Sequence, residues 1–316
     1  MSGRRRLRGG LAAGVVATAL AAPLALTAPT IAAAAGPASS GDFAGRVTIP
    51  GGREIYLECH GSGSPTVVFE AGLRSRGDIW SWARLGGVGF GVFPRVTPYT
   101  RACIYDRPGT LARYPYVSRS DPVPMPRSTA GVAVDLHVLL AAAGVPGPYV
   151  LVGASTGGLV ARQYASFYPT EVAGLVLLDA ISEAMQGLMS RSQFARYNAY
   201  YLQSPSSDAA QYKNLEAIDF YTSFAEIKQR RRPPPGIPMV VISADYGFGI
   251  PPGVSRRFSR LVNRTWKRAQ SYLVSLRPKT KHVIARRSGH QIHINRPGLV
   301  ARYVLGLVAR ARGGRL

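Results

Sequence analysis

Cysteine, histidine and acidic residues are all scarce in this chain. It has 2 cysteines and 5 histidines, and they form no cluster with the spacing of metal ligands, so we expect no metal site. The sequence also contains no phosphate-binding loop and no internal repeat, and we expect no cofactor. Because 39 Lys and Arg residues stand against 16 Asp and Glu residues, the formal net charge is +23.

Much of the excess positive charge lies in the second half of the chain, at Arg230–Arg232, between Arg256 and Arg268, and in the C-terminal tail. No nucleic-acid-binding module is recognisable, so we expect no nucleic-acid partner. A basic surface would attract an anionic envelope polymer, a lipid surface or an acidic substrate. A solvated basic surface without a specific partner is the alternative.

A long apolar run occurs only near the N-terminus, in residues 11–26. The basic segment Arg4–Arg8 precedes it and Ile31–Ala35 offers an A-x-A cleavage site, which together make the three parts of a secretory signal peptide. The run is broken by glycine and proline and is short for a membrane anchor. We expect residues 1–35 to be a signal peptide, and the mature protein to be secreted or associated with the cell envelope, without a transmembrane segment.

The most informative segment is Tyr149–Val160, which reads YVLVGASTGGLV. An apolar strand-like run leads into Gly153-Ala-Ser155-Thr-Gly157, and a helix-like pattern follows. Strand, G-x-S-x-G and helix are typical of a nucleophile elbow, in which the serine sits on a tight, strained turn that only glycine can flank. Ser155 is therefore the candidate nucleophile, and an ordinary Gly/Ser-rich turn is the alternative.

A serine nucleophile needs a base, and the base needs an orienting acid. In an elbow of this kind the partners follow the serine along the chain, and His290, on a loop after a predicted strand, is the candidate base. Asp179 and Asp245 each end or follow a buried-looking strand between Ser155 and His290. Chain order alone leaves both carboxylates open as the acid.

Strand and helix patterns alternate along the chain, which predicts an α/β fold with a mainly parallel sheet and helices on both faces. Strands are expected near 45–49, 53–59, 65–70, 101–106, 149–154, 173–179, 238–244 and 281–286. Helices are expected near 78–85, 128–143, 156–168, 255–275 and 297–311. Between the sixth and seventh strands the alternation stops, and several aromatic-rich helices are expected.

Five blocks, in the same order along the chain, resemble those of the α/β-hydrolase superfamily. They are Thr66–Leu73, Ile104–Gly109 (IYDRPG), the elbow, the strand end Leu-Leu-Asp179, and Ser288–Pro297. The resemblance runs from about Gly45 to Val308. It implies an α/β-hydrolase fold with an eight-stranded, mainly parallel sheet and a helical cap, 181–237, inserted after strand six. The two parts of the core would be 36–180 and 238–316.

The resemblance also implies roles for individual residues. Relatives that place the acid after the earlier strand carry a Gly-Leu-Asp-Pro-like end, which the Asp179 segment resembles, whereas Asp245 comes too early after its strand. Asp179 is therefore favoured and Asp245 is the alternative acid. The oxyanion hole would use the backbone N–H groups of Thr156 and Leu73, in a loop where Glu-Ala-Gly stands in place of the His-Gly of many relatives.

Cys59 and Cys103 fall in two strands that are sheet neighbours in the fold this chain resembles. In an exported protein such a pair is expected to form a disulfide, and a pair of small buried residues is the alternative.

Together these features predict a secreted serine hydrolase of the esterase or lipase type, acting on a small ester or acyl substrate through Ser155, His290 and Asp179. An aminopeptidase or amidase of the same fold is an alternative, because the sequence does not determine which bond is cleaved. A non-catalytic, hydrolase-like binding protein is a second one.

Overall fold

Eight strands form a single sheet in the computed structural model, which describes residues 38, 41–113, 116–230 and 236–313. The predicted signal peptide, 1–35, lies outside the described residues, as do Arg231 and Arg232 of the basic second half. The strands of the sheet are β1 (Phe43–Thr48), β2 (Glu54–His60), β3 (Thr66–Glu70), β6 (Ala102–Tyr105), β9 (Tyr149–Ala154), β10 (Val172–Leu178), β11 (Met239–Ala244) and β12 (Lys281–Ala285). Their order across the sheet is β1-β2-β6-β3-β9-β10-β11-β12.

In this sheet β2 runs antiparallel to both of its neighbours, β1 and β6, and the pairings from β6 to β12 are parallel. The predicted eight-stranded, mainly parallel sheet is therefore confirmed. The central strands β3, β9 and β10 are almost continuous apolar runs, because helices cover the sheet on both sides and no strand face meets water.

The longer helices of the core lie on opposite faces of the sheet. On one face, α2 (Thr129–Ala142), α3 (Thr156–Phe167) and α8 (Arg256–Ser275) pack on an apolar cluster that includes Leu175 and Leu177. On the other, α1 (Phe93–Val96) and α10 (Pro297–Ala311) pack on a cluster that includes Val176 and Leu178. Successive side chains of β10 thus point alternately into two separate apolar cores, one on each face of the sheet.

The expected helix near 78–85 is wrong. A 3₁₀ turn, Gly77–Ser81, leads into a two-residue strand β4 (Trp82–Ala83), which pairs with β5 (Gly87–Val88). Gly86, in the turn of this hairpin, and Gly87, at the start of β5, both have positive φ angles, which reverses the chain directly after the segment predicted as a helix. A second small hairpin joins β7 (Leu111–Arg113) to β8 (Tyr116–Val117).

The segment between β10 and β11 is mostly helical. It contains α4 (Ala184–Gly187), α5 (Arg191–Tyr197), a π-helical turn (Asn198–Gln203), α6 (Ser207–Ala210) and α7 (Phe220–Gln229). Phe194, Phe220 and Phe224 are fully buried, so these three aromatic rings pack the inserted segment together. In the part of the chain that the structure describes, no helix is both long enough and apolar enough to span a bilayer.

Cys59 and Cys103 form a disulfide between β2 and β6. The two residues lie directly opposite each other in the antiparallel pairing of these strands, with Cα atoms 4.1 Å apart, and both side chains are fully buried.

Candidate active site

Ser155 occupies a sharp turn between β9 and α3. Its backbone angles are φ 54° and ψ −119°, a conformation that residues with a side chain rarely adopt. A Cβ on Gly153 would lie 2.4 Å from the carbonyl oxygen of Gly157, and one on Gly157 would lie 2.3 Å from that of Glu70. Glycine is therefore required at both positions, as the elbow pattern predicts.

His290 lies on the loop between β12 and the short helix α9 (Ile292–Asn295). Its Nδ1 atom is 2.7 Å from Oδ2 of Asp179, whose side chain is 4 % exposed. An ionised carboxylate can only accept, so Nδ1 is the donor of this bond, and in a neutral imidazole the lone pair is then on Nε2. Asp179 follows β10 with φ 40°, and its other oxygen accepts a hydrogen bond from the Ala244 backbone N–H at 3.1 Å.

Asp245 pairs with the backbone of the loop that carries the histidine. Its Oδ2 accepts from the N–H of Arg287 at 3.0 Å, and its own N–H donates to the carbonyl of Ser288 at 2.9 Å. Of the two candidate carboxylates, Asp179 thus contacts the imidazole, whereas Asp245 forms hydrogen bonds that stabilise the 286–289 turn.

A cleft of about 300 Å³ opens over the elbow, and both Ser155 and His290 line it. Its apolar wall consists of Tyr197, Tyr201, Leu202, Phe248 and Trp266. The rings of Phe248 and Trp266 lie 4.8 Å and 5.7 Å from the His290 ring, so they fix its orientation. Among the described residues no hydrogen bond joins Ser155 to His290; contacts of this kind commonly tighten only when substrate binds.

Two backbone N–H groups in this cleft have no protein acceptor among the described residues. They belong to Leu73, in the loop after β3, and to Thr156, at the first position of α3. The two segments are close, because a Cβ on Gly72 would lie 3.5 Å from Cβ of Ser155. This pair of free donors beside the serine is the arrangement that holds an oxyanion.

Arg107 fixes the loop that carries Leu73. Its guanidinium donates to the carbonyl of Ala71 at 2.9 Å and to that of Gly72 at 2.7 Å. In a trans peptide the carbonyl and the following N–H point in opposite directions, so binding the Gly72 carbonyl turns the Leu73 N–H away from Arg107. Arg107 thereby sets the direction of one donor.

Glu216, from the inserted helical segment, completes this arrangement. Its carboxylate accepts from Nε and Nη2 of Arg107 at 2.6 and 3.0 Å, and also from the backbone N–H of Arg74 at 2.6 Å. Arg107 and Glu216 are 3 % and 2 % exposed, so the pair is held in a medium of low dielectric constant. The segment 181–237 is thus connected directly to the Gly72–Leu73 loop.

Glu70 lies behind the same loop and is completely buried. Burial raises the pKa of Glu70 to about 7, although Arg107, 3.3 Å away, and the hydroxyl of Tyr105 favour its charged form. Glu70 and Arg107 both belong to sequence blocks of the hydrolase resemblance, but their partner Glu216 has no local signal. Sequence reasoning missed it because the contact joins residues 109 positions apart.

His293 also lines the cleft and is 7 % exposed. Its ring packs on Trp80 at 4.9 Å, and burial together with the nearby His290 lowers its pKa to about 3. It is therefore a neutral histidine at any ordinary pH. The other late histidine, His282, is exposed on β12, and its Nε2 atom lies 2.9 Å from the hydroxyl of Ser243. No group of side chains in the described ranges is arranged to hold a metal ion.

The chain is similar to a family model, to two uncharacterised proteins and to solved structures. A family model described as the alpha/beta hydrolase fold matches residues 106–200, which include the elbow. An uncharacterised protein of Schizosaccharomyces pombe, C23C11.06c, is 34 % identical over 160 residues, which are 44 % of this chain and 28 % of that protein. The chain therefore spans less than a third of this relative's length.

A second relative, the uncharacterised protein YqjL of Bacillus subtilis, is 24 % identical over 243 residues, covering 76 % of this chain and 82 % of that protein. Among solved structures, a thermophilic esterase from Thermogutta terrifontis with bound malate is similar in fold. It superposes with a TM-score of 0.52 at 18 % identity, over 85 % of this chain and 99 % of the esterase.

Proposed function

We propose that this chain, which has the α/β-hydrolase fold, is a serine hydrolase that cleaves carboxylic esters through an acyl-enzyme. The observation that carries the proposal is the 2.7 Å contact between His290 Nδ1 and Asp179, with His290 and the elbow serine lining one cleft. Ser155 is the nucleophile, His290 the base and Asp179 the acid.

In the first half of the reaction, the Ser155 hydroxyl attacks the ester carbonyl and its proton passes to Nε2 of His290. The tetrahedral intermediate then expels the alcohol, which takes that proton from the imidazolium. Water repeats the sequence on the acyl-enzyme and releases the acid. Asp179 stays ionised throughout and stabilises the imidazolium through its bond to Nδ1.

The N–H groups of Leu73 and Thr156 would bind the oxyanion that forms at each step. Because Arg107 and Glu216 hold the loop before substrate arrives, little reorganisation is needed at the moment of reaction. The aromatic wall of Tyr197, Tyr201, Phe248 and Trp266 would contact the acyl or alcohol group. A cleft of about 300 Å³ suits a small ester.

We also propose that the protein acts outside the cytoplasm. The basic and apolar N-terminal segment with its A-x-A site supports export, and the Cys59–Cys103 disulfide is compatible with an oxidising compartment. Fractionation of cells expressing the full chain tests this, with truncation of the first 35 residues as the comparison. Full-length protein retained in the cytosol at its uncleaved size would contradict export.

Two readouts test the reaction. Wild type should hydrolyse p-nitrophenyl esters and react with a fluorophosphonate, whereas Ser155→Ala should lose the label and lower kcat on the order of 10⁴–10⁶-fold. Ser75→Ala is the matched control, since Ser75 also lines the cleft and should leave both readouts intact.

A label that persists in Ser155→Ala would move the nucleophile to another residue. Aminoacyl anilides, assayed beside a series of esters of increasing chain length, separate the alternatives. Strong anilide turnover with little ester turnover would assign the protein to the peptidases, and no turnover or labelling at all would favour a binding protein.

A further inference from the structure

Helix α8 exposes a row of positive charges. Its cationic side chains are all exposed, and we call them the basic face: Arg256, Arg257, Arg260, Arg264, Lys267 and Arg268. The helix contains no Asp or Glu. Its opposite side buries Phe258, Val262 and Trp266 against the core, so the helix is strongly amphipathic with all of its charge facing outward.

The basic face is not neutralised within the protein. None of its cations forms an ion pair with an acidic side chain of the described residues. Arg256, Arg260, Arg264 and Arg268 also follow one another at a spacing of four, where like charges on a helix repel. A partner with negative charge would remove this repulsion.

Exposed apolar side chains flank this face, and we call them the apolar rim: Tyr200, Tyr246 and Ile250, which are 38 %, 58 % and 52 % exposed. The loop that carries Tyr246 and Ile250 is tied to α8, because Asn263 accepts from the Phe248 N–H at 2.7 Å and donates to the Phe248 carbonyl at 3.2 Å. Tyr200 reaches the same area, since its ring lies 3.4 Å from where a Cβ of Gly253 would be.

The apolar rim lies next to the catalytic cleft. Trp266, on the buried side of α8, forms part of the cleft wall, and so does Phe248, between the two rim residues of its loop. On the other side, Tyr201 lines the cleft directly after Tyr200 of the rim. A flat partner that covers the rim would therefore lie beside the cleft.

We propose that the basic face and the apolar rim dock the protein on the surface of an anionic lipid bilayer, with the cleft mouth toward the lipid. The cations would meet the phosphate groups of the lipid heads, and the rim would enter the interface between headgroups and acyl chains. A soluble anionic polymer shares the phosphate or carboxylate chemistry but offers no apolar layer. The exposed tyrosines and isoleucine therefore favour the bilayer.

Co-flotation with vesicles tests the proposal, using the Ser155→Ala chain so that binding is measured apart from hydrolysis. The protein should bind vesicles of phosphatidylcholine mixed with phosphatidylglycerol and not vesicles of phosphatidylcholine alone. Arg260→Glu/Arg264→Glu should lower the partition coefficient on the order of 100-fold. The matched control is Arg302→Glu/Arg310→Glu, the same charge change on α10 at the opposite face of the sheet, which should bind nearly as wild type does.

A variant of the apolar rim distinguishes a bilayer from a soluble polymer as the partner. Tyr246→Ser/Ile250→Ser should weaken vesicle binding, most visibly at high salt where screening reduces the electrostatic part, and should leave binding to soluble polyphosphate unchanged. Equal losses in the α8 and α10 variants would show nonspecific attraction by net charge and overturn the proposal. Full vesicle binding by the rim variant, with tight polyphosphate binding, would overturn the bilayer in favour of a polymer.

Discussion

Asp179 and Asp245 follow adjacent parallel strands at the same edge of the sheet, yet they bind different groups. Asp179 accepts from the His290 imidazole, and Asp245 accepts from the Arg287 backbone. We expect Asp179→Asn to lower kcat on the order of 10³–10⁴-fold, because the amide keeps the shape but cannot stabilise the imidazolium. Steady-state kinetics with a p-nitrophenyl ester measures this.

Asp245→Asn is the matched comparison, since it removes one carboxylate at the end of the next strand. It should change kcat far less and lower the melting temperature slightly, as the turn before His290 loses a charged acceptor. If the two variants ranked in the reverse order, the acid would have to be assigned to Asp245.

At the scale of single residues, the sequence predicted those features that depend only on neighbouring residues in the chain. Ser155 and its flanking glycines follow from steric limits within five residues, and His290 from its place after the last strand. Asp179 needed the family resemblance, because two carboxylates had equal chain order. The burial of His293 against Trp80 could not be predicted in this way, since it depends on how distant segments pack.

Between elements, the contact of Glu216 with Arg107 connects the helical insertion to the loop after β3. We expect Glu216→Gln to lower kcat by about 10- to 100-fold with little change in KM, because a displaced Leu73 N–H would weaken binding of the transition state more than of the ester. Kinetics across a range of substrate concentrations separates the two constants.

Asp208→Asn is the control for this variant, since it removes an exposed acid of the same insertion whose carboxylate makes no hydrogen bond or ion pair with the Gly72–Leu73 loop among the described residues. It should leave kcat, KM and the melting temperature unchanged. Breaking a buried ion pair also destabilises a protein, so the melting temperature of Glu216→Gln must be measured as well. A lowered melting temperature with unchanged kcat would show that the pair is structural only.

The strands of the eight-stranded sheet were predicted to within about two residues, because buried parallel strands are continuous apolar runs with polar ends. The strands of the two small hairpins were not predicted. The longer helices of the core, α2, α3, α8 and α10, were predicted equally well, whereas the four-residue helix α1 was not predicted. The prediction of a helix over 78–85 was wrong for a physical reason. The apolar pattern of this segment is too short to separate a helix from a 3₁₀ turn and a hairpin, and the conformations of Gly86 and Gly87 decided between them.

For the molecule as a whole, the Cys59–Cys103 bond closes a loop with a sequence separation of 44 at one side of the sheet. The sheet order sets β3 between the disulfide-bonded pair β2 and β6 and the strand β9 that ends at the elbow. A crosslink there constrains the unfolded chain without touching Ser155 or His290. We therefore expect its loss to affect the stability of the fold and to spare the chemistry.

Cys59→Ala/Cys103→Ala should lower the free energy of unfolding by about 2–4 kcal/mol, and the melting temperature by roughly 5–15 °C. Ester turnover at moderate temperature should be unchanged within about twofold, because the bond lies on the far side of β3 from the elbow. Reduction of the wild type with dithiothreitol should reproduce the lower melting temperature, and the same treatment of the double variant should change nothing. These two results together separate the effect of the crosslink from that of the lost side-chain volume. Equal melting temperatures of oxidised and reduced wild type, with both cysteines shown to titrate as free thiols after reduction, would remove the disulfide as a source of stability.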